Sequence, residues 1–186
     1  NDLHSPAMRD RHWKTMSDVC GLSTVLNPDE KGFSLNDMIS LELHTKVDDI
    51  EEIVETANKE LKIEKKMVII EDIWRDLTLE YVPHKESEIS LIRPSEEVIE
   101  NLEGHQLELQ GIIGMGKFVD YFRDRVMLWQ TQLGEVEEVI AEWSKVCRSW
   151  SALESIFLAS ADIRAQLPDD TKRFEGIDSE FKDLMK

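Results

Sequence analysis

The residues whose spacing is closest to a chemical motif run from Gly111 to Lys117 and fit the pattern G-x-x-x-x-G-K. In a phosphate-binding loop this spacing lets backbone N–H groups face the phosphates, and a following Ser or Thr holds magnesium. Here the next residue is Phe118, which cannot ligate a metal, and the predicted element before the loop is a helix instead of a buried strand. We therefore interpret the segment as a glycine-rich joint between two helices. An enzyme built on this loop is the weakest of the hypotheses for the chain.

The histidines, cysteines and serines form no familiar catalytic or metal-binding pattern. The histidines are scattered, without an i,i+4 pair beside an acid, and no G-x-S-x-G sequence occurs. Cys20 and Cys147 lie far apart, which predicts two free thiols in a reducing compartment. His105 falls on an apolar helical stripe, where we expect a hydrogen-bonded core histidine. We expect no catalytic residue, no cofactor-binding residue and no metal ligand in this chain.

Composition narrows the class of protein further. The 186 residues carry 39 acidic and 22 basic side chains, and the net charge of −17 disfavours nucleic acid as a partner. Hydrophobic residues make up 41% of the chain, which is enough for a core of one domain or two small ones. No apolar run approaches the roughly 18 residues that a membrane span needs, so no membrane partner is expected. Because the first residue is Asn, we also expect the chain to be a piece of a larger protein.

The strongest periodic signal predicts a long tryptophan-rich helix, or a helix pair, over residues 117–158. Its apolar residues recur at steps of three and four, which places them on one face of an α-helix. Gly134 lies within the stripe and leaves open whether the helix bends or breaks there. The stripe consists of Phe122, Val126, Trp129, Leu133, Val136, Ile140, Trp143, Cys147, Trp150, Leu153 and Phe157.

Two more long helices are predicted by the same rule. One covers 46–78, and its stripe consists of Val47, Ile50, Val54, Ala57, Leu61, Met67, Ile70, Trp74 and Leu77. The other covers 95–113, with Ser95 as its N-cap. Its stripe consists of Val98, Leu102, His105, Leu109 and Ile112.

Shorter elements complete the prediction. Residues 1–45 hold short helices, one starting at Ser5-Pro6 and closed by Gly21, and one capped by Ser34. Residues 79–93 read as a β-hairpin, and residues 159–186 as C-terminal helices, the last of them starting at Pro168. The stripe of that last helix consists of Phe174, Ile177, Phe181 and Leu184. The predicted fold class is mainly all-α, an elongated bundle of long helices with one small β-hairpin.

Several strings taken together resemble the linker region of dynein heavy chains. They are Arg11-His12-Trp13-Lys14 and the runs over 50–65, 74–82, 102–106, 142–150 and 153–186. The most specific part is W-x-x-V-x-R-x-W-x-x-L-E-x-I-F, which starts at Trp143 and is followed by D-I-R-x-Q-L-P. The variants are closer to axonemal than to cytoplasmic heavy chains. One departure is the segment from Gly111 to Gly116, which is richer in glycine than the resemblance leads us to expect.

The resemblance implies that residues 1–186 are one fragment of a linker domain. Such a linker transmits force as it bends and straightens over a ring of AAA+ modules during ATP-driven movement along microtubules. The fragment itself would be non-catalytic and hold no cofactor, because ATP and magnesium belong to the ring of the parent motor ATPase. The implied partners are the AAA+ ring of the same heavy chain, the tail with its associated subunits, and microtubules through the parent motor. The implied location is the cytoskeleton of the cytoplasm, in the axoneme of a cilium or flagellum.

A rod transmits force only if it is closely packed along its length, so we expect buried tryptophans to form the structural core of this lever. The residues assigned to that core are Trp74, Trp129, Trp143 and Trp150. The candidates for ring contact or hinge are Tyr81, Val82, Ile89, Gly111, Gly114 and Gly116. The alternative hypothesis is a generic acidic helical scaffold that binds partner proteins. A series of P-loop modules downstream in the full gene would favour the motor, and their absence would favour the scaffold.

Overall fold

A computed structural model describes residues 5–22, 34, 36, 39, 42–85, 89–158 and 160–185. These residues are mainly α-helical, as the periodicity predicts, and they include one two-stranded antiparallel sheet. The helices are α1 (Asp10–Val19), α2 (Val47–Asp76), α3 (Glu96–Ile113), α4 (Arg123–Phe157), α5 (Ala161–Gln166) and α6 (Pro168–Leu184). Two 3-10 helices cover Leu43–Thr45 and Gly116–Phe122, and the strands are β1 (Glu80–Pro83) and β2 (Ser90–Arg93).

The chain divides into two compact units, each with its own contacts. Unit 1 comprises Asn1–Ile73 and Gly111–Val126, and unit 2 comprises Trp74–Gln110 and Met127–Lys186.

Helix α1 in unit 1 begins later than the sequence indicates. Pro6 lies in a turn, and the helix starts at Asp10, where the side chain of His12 accepts the Arg9 backbone N–H at 3.0 Å. The Ser5-Pro6 start is therefore wrong. The helix starts where the His12 side chain, three residues after the N-cap residue Arg9, accepts the free backbone N–H of Arg9. The predicted stop is confirmed, since Gly21 has φ +69°. Of the helix predicted from Ser34 to Leu43, only residues 34, 36, 39, 42 and 43 fall within the described part of the chain.

The buried face of α2 differs from the predicted stripe at the start and in the middle of the helix. Val47 is about half exposed, and Leu61 is only partly buried. The prediction missed part of this buried face because the face includes a charged residue, Glu60. An apolar pattern does not predict the burial of a charged side chain. The buried residues are Ile53, Val54, Ala57, Glu60, Ile63, Met67 and Ile70.

Helix α3 matches its prediction at every position of the stripe. The Ser95 hydroxyl accepts the Val98 backbone N–H at 3.3 Å, so the predicted N-cap is confirmed. The stripe lies inside the structure because its spacing keeps one face of the helix against its neighbours. The buried residues are Val98, Leu102, His105, Leu109 and Ile112.

Helix α4 is one continuous helix of 35 residues. Gly134 lies inside it, so the open question between one helix and a helix pair is answered in favour of one helix. At about 1.5 Å per residue the helix is about 50 Å long. The helix begins at Arg123 and not at 117 as predicted, because residues 116–122 form a 3-10 helix. The buried residues of the predicted stripe are Phe122 in the 3-10 helix and Val126, Leu133, Cys147 and Trp150 in α4. Four of the remaining stripe residues are partly buried between these points, and Leu153 is 38% exposed.

The hairpin and the last helix in unit 2 follow their predictions with two corrections. Thr78 and Leu79 precede β1 instead of joining it, and the strands pair from Glu80 with Arg93 to Pro83 with Ser90. Pro168 is the first residue of α6, as predicted.

The stripe of α6 is narrower than predicted. Phe174 and Phe181 are buried, whereas Ile177 and Leu184 are more than half exposed. At 100° per residue, positions 174 and 181 lie on nearly the same line along the helix, and the other two lie about 60° to one side. None of the helices in the described part of the chain combines the length and the apolar character that crossing a lipid bilayer requires.

Candidate functional site

A cluster of buried residues in unit 2 joins three elements, and we call it the aromatic junction. It consists of Ile89, Cys147, Trp150, Phe174 and Phe181. These residues come from the segment before β2, from α4 and from α6. The aromatic junction therefore holds the hairpin, the long helix and the C-terminal helix together.

Stacked rings join α4 to α6. The Trp150 ring lies over Phe181 with centroids 4.5 Å apart and an interplanar angle of 24°. Trp143 also stacks on Phe181, with ring centroids 6.2 Å apart. Phe157 stacks on Phe174, with ring centroids 5.6 Å apart. Offset aromatic pairs at such distances each add about 0.5–1.5 kcal/mol beyond the burial of their surface. The rings therefore fasten the two helices over several turns.

Trp150 is also oriented by polar contacts with α6. Its side chain is only 3% exposed, and its Nε1–H donates to Asp178 Oδ1 at 3.1 Å. Lys182 donates to the other oxygen of Asp178 at 2.7 Å and lies 5.9 Å from the Trp150 ring centre. The indole is thus both buried and hydrogen-bonded, which fixes its position more firmly than packing alone.

The end of the hairpin is tied to α4 beside the aromatic junction. The buried His84 ring lies 4.7 Å from the Trp150 ring, and its Nε2 is 2.8 Å from Glu154 Oε2. Lys85 Nζ is 2.5 Å from the same carboxylate oxygen. Burial alone would raise the pKa of Glu154, but hydrogen bonds from His84 and Lys85 and the nearby charges lower it overall. The carboxylate is therefore held ionised between strand and helix.

Cys147 and Trp143 complete this region without offering reactive groups. Burial raises the pKa of the Cys147 thiol, so the thiol is not an activated nucleophile. Cys20 and Cys147 are both free, as the sequence predicts. The buried indole N–H of Trp143 has no hydrogen-bond partner within the described residues.

Trp74 and Trp129, two other residues of the predicted lever core, lie away from the aromatic junction. They line an open depression of about 580 Å³ in unit 2 that we call the apolar groove. Trp74 Nε1–H donates to His105 Nδ1 at 2.9 Å, which confirms the prediction of a hydrogen-bonded core histidine. Burial lowers the pKa of His105, against a smaller raising effect of Glu108. His105 is therefore neutral at pH 7.

The three predicted contact residues of the hairpin have different environments. The Tyr81 side chain is 69% exposed, Val82 is partly buried, and Ile89 is buried inside the aromatic junction. Only Tyr81 and Val82 thus present surface to a partner, and Ile89 acts in packing.

The glycine-rich segment in unit 1 joins two helical elements, as predicted. Gly111 lies within α3, Gly114 lies in the turn that follows it, and Gly116 opens a 3-10 helix with φ +65°. Only Gly116 needs the left-handed backbone that favours glycine. Lys117 pairs with Glu52, and a helix precedes the loop, so the geometry of a phosphate-binding loop is absent from this segment.

Unit 1 contains a buried polar group that the sequence did not reveal, which we call the polar seam (Arg11, His12 and Glu60). Glu60 Oε2 accepts from Arg11 Nε at 2.8 Å and from His12 Nε2 at 3.0 Å. Because His12 Nδ1 accepts the Arg9 backbone N–H, its proton is on Nε2. Burial lowers the pKa of His12, with Arg11 and Arg9 adding to that effect and Glu60 opposing it. His12 and Glu60 are 48 residues apart in the sequence, so no local sequence pattern links them.

The described residues include no group of three or more His, Cys, Asp or Glu side chains arranged to hold a metal ion. What the arrangement does supply is close packing, with aromatic stacks in unit 2 and ion pairs in unit 1. The fold and the site define a helical structural segment.

Comparison with known proteins identifies the family. The family described as "Dynein heavy chain, N-terminal region 2" matches residues 1–186. The chain is 43% identical over 188 residues to the dynein beta chain of the flagellar outer arm of Chlamydomonas reinhardtii. It is 40% identical over 183 residues to dynein axonemal heavy chain 9 of Homo sapiens, and 40% over 184 residues to a ciliary dynein beta chain of Tripneustes gratilla.

These matches cover between 98% and 100% of the chain. The chain spans only 4% of the length of each of these relatives. The chain belongs to the dynein heavy chain family, as its sequence motifs indicate.

Proposed function

We propose that this chain is a force-transmitting segment of the linker of a dynein motor. In this proposal the linker bends and straightens over the AAA+ ring of the same heavy chain while the ring hydrolyses ATP. The motion passes to the tail and its associated subunits and moves the motor along a microtubule. The relatives are named as flagellar, axonemal and ciliary proteins, which supports a place in the axoneme of a cilium or flagellum.

The observation that carries the proposal is the aromatic junction. A segment that transmits force has to keep its elements fixed relative to one another under load. Stacking of Trp150 and Trp143 on Phe181, together with the His84–Glu154 contact, fastens three elements through dense contacts that deform little. This is the property expected of a stiff segment.

The direct test of bending uses a full-length heavy chain of this family. One fluorophore is placed at the exposed position 145 and a second on the AAA+ ring. The proposal predicts two distances that alternate between nucleotide states, whereas a fluorophore pair at positions 145 and 172, both in unit 2, keeps one distance. A ring distance that is the same in every nucleotide state would contradict the proposal.

The proposal also assigns nucleotide chemistry to the ring and none to this segment. The pairing of Lys117 with Glu52, and the helix before the glycine-rich loop, support that division. Isothermal titration of the 186-residue chain with Mg-ATP should give no binding heat. Binding at micromolar ATP, lost on Lys117→Ala, would contradict the proposal.

A further inference from the structure

The apolar groove of unit 2 is a feature that the proposed function does not use. Its walls come from the end of α2, the segment before β1, the start of α3 and the first half of α4. Leu79 and Val139 on its rim are 40% and 67% exposed, an unusual degree of exposure for large aliphatic side chains facing one depression. The residues that line its floor and sides include Trp74, Val98, Trp129, Leu133, Val136 and Ile140.

The charge around the apolar groove is predominantly negative. The two wall segments, 74–80 and 129–142, contain six acidic side chains and one basic side chain. Glu135 itself lines the groove and has no ion-pair partner within the described residues. An apolar strip bordered by carboxylates is complementary to a ligand with an apolar face and basic flanks.

The shape of the apolar groove favours a helix over a small molecule. Its α4 wall runs from Trp129 to Ile140, which is about 17 Å at the rise of an α-helix. The volume lies inside the range of about 300–1,000 Å³ for ligand pockets, but the depression is open to solvent and does not enclose a ligand. A helix laid along such a wall presents anchors at i, i+4 and i+7.

We infer that the apolar groove binds an amphipathic helix of a partner polypeptide, with aliphatic or aromatic anchors in the groove and Lys or Arg opposite Glu135. The apolar anchors cover Trp74, Trp129 and Val139, and the basic flanks face the acidic wall segments. This inference stands apart from the linker proposal, because it concerns binding at a surface and not movement over the ring.

The test uses the 186-residue chain and a fluorescein-labelled helical peptide of about 15 residues. The peptide has leucines at i, i+4 and i+7 and lysines on its remaining faces. Fluorescence anisotropy should show saturable binding that Val139→Lys weakens about tenfold, because the new charge replaces an apolar contact and repels the peptide. Glu135→Gln should weaken binding about threefold and reduce its salt dependence.

The matched control is Leu107→Lys. Leu107 is 71% exposed and does not line the apolar groove, so this variant makes the same change of net charge elsewhere in unit 2. It should bind the peptide like the unchanged chain. Thermal unfolding by circular dichroism should give the same midpoint for both exposed-site variants.

Four results would overturn the inference. The first is that the lysine peptide shows no saturable binding, and the second is that Val139→Lys and Leu107→Lys weaken its binding equally. The third is that a peptide with glutamates in place of lysines binds equally well. The fourth is that a small apolar dye binds the chain and the lysine peptide does not displace it. Light scattering that shows a dimer lost on Val139→Lys would assign the apolar groove to a second copy of this chain and would also overturn it.

Discussion

Unit 1 and unit 2 are ordered by different kinds of contact. In unit 1 a buried carboxylate, Glu60, gathers Arg11 and His12, while Arg125 pairs with Glu71 at another point of the same helix. In unit 2 aromatic stacks around Trp150 hold the elements together. Ion pairs lose much of their attraction to desolvation, whereas aromatic burial keeps its strength in salt and over a wide range of pH. We therefore expect the polar seam of unit 1 to depend more strongly on salt and pH than the aromatic stacks of unit 2 do.

The largest effect is expected from removing the centre of the aromatic junction. Trp150→Ala should lower the free energy of unfolding by about 3–5 kcal/mol, because it leaves a cavity and removes the hydrogen bond to Asp178 Oδ1. Leu153→Ala, three residues further along α4 and 38% exposed, is the matched control and should cost less than about 1 kcal/mol. Urea unfolding measures both, and equal losses would show that the junction is not the main source of stability in unit 2.

A smaller loss is expected in the polar seam of unit 1. Glu60→Ala should lower the free energy of unfolding by about 1–3 kcal/mol, because it leaves the His12 ring buried without its acceptor. Glu64→Ala removes the exposed pair with Arg9 and should cost about 0–1 kcal/mol. Urea unfolding in low and high salt should show that the gap between the two variants persists. If Glu60→Ala costs no more than Glu64→Ala, then the polar seam does not order unit 1.

Gly116 and Gly134, two of the glycines at helical positions, should change the stability of the chain in opposite directions when they are replaced by alanine. Gly116→Ala in unit 1 should destabilise the chain by about 1–2 kcal/mol, because φ +65° is strained for alanine. Gly134→Ala in unit 2 should stabilise it by about 0.5–1 kcal/mol, because the residue lies inside α4 and a Cβ there meets no atom within 4 Å. Thermal unfolding measures both changes, and the same sign for both would contradict the assignment of Gly116 as the constrained position.

The smallest effect is a pH dependence assigned to the polar seam. Burial lowers the pKa of His12 below its ordinary value of 6.5, while the unfolded chain keeps that value. As the pH falls below about 6.5 the unfolded chain takes up the proton first, so the free energy of unfolding decreases. His105 in unit 2 contributes in the same direction, since burial also lowers its pKa.

This pH dependence is checked by urea unfolding at pH values from about 7.5 to about 5, the range in which histidine titrates. His12→Gln should remove part of the slope, His105→Gln another part, and the double variant most of it. A slope that is unchanged in the double variant would show that the two histidines do not account for the acid sensitivity.

The sequence predicts those parts of the fold in which burial and apolar character coincide. The stripe of α3 from Val98 to Ile112 is confirmed at every position. The stripe of the long helix predicts its end at Phe157 within one residue but not its start, because residues 116–122 form a 3-10 helix. The prediction fails where burial and polarity coincide, as at Glu60, whose burial depends on a partner in another helix. The Pro6 start fails for a different reason, because the His12 side chain inside the helix accepts the backbone N–H of Arg9 and fixes the start at Asp10.

The candidate site is only half visible in the sequence. Trp143 and Trp150 are recognised from their spacing, but their stacking partners in α6 become evident only when α6 is folded against α4. The contact of His84 with Glu154 joins residues that are 70 positions apart. Nothing in the neighbourhood of either residue signals the other, so such long-range pairs have to be read from the structure.

The central claim, that this segment transmits force and does not itself use ATP, is tested most directly in a full-length heavy chain of the family. Microtubule gliding speed and ATPase rate are measured for Trp150→Ala and for Leu153→Ala. Our account predicts that Trp150→Ala slows gliding about fivefold or more while the ATPase rate stays within about twofold, and that Leu153→Ala changes neither, because only the buried indole fastens the segment. Unchanged gliding in Trp150→Ala, or an ATPase rate that falls in proportion to gliding speed, would contradict the account.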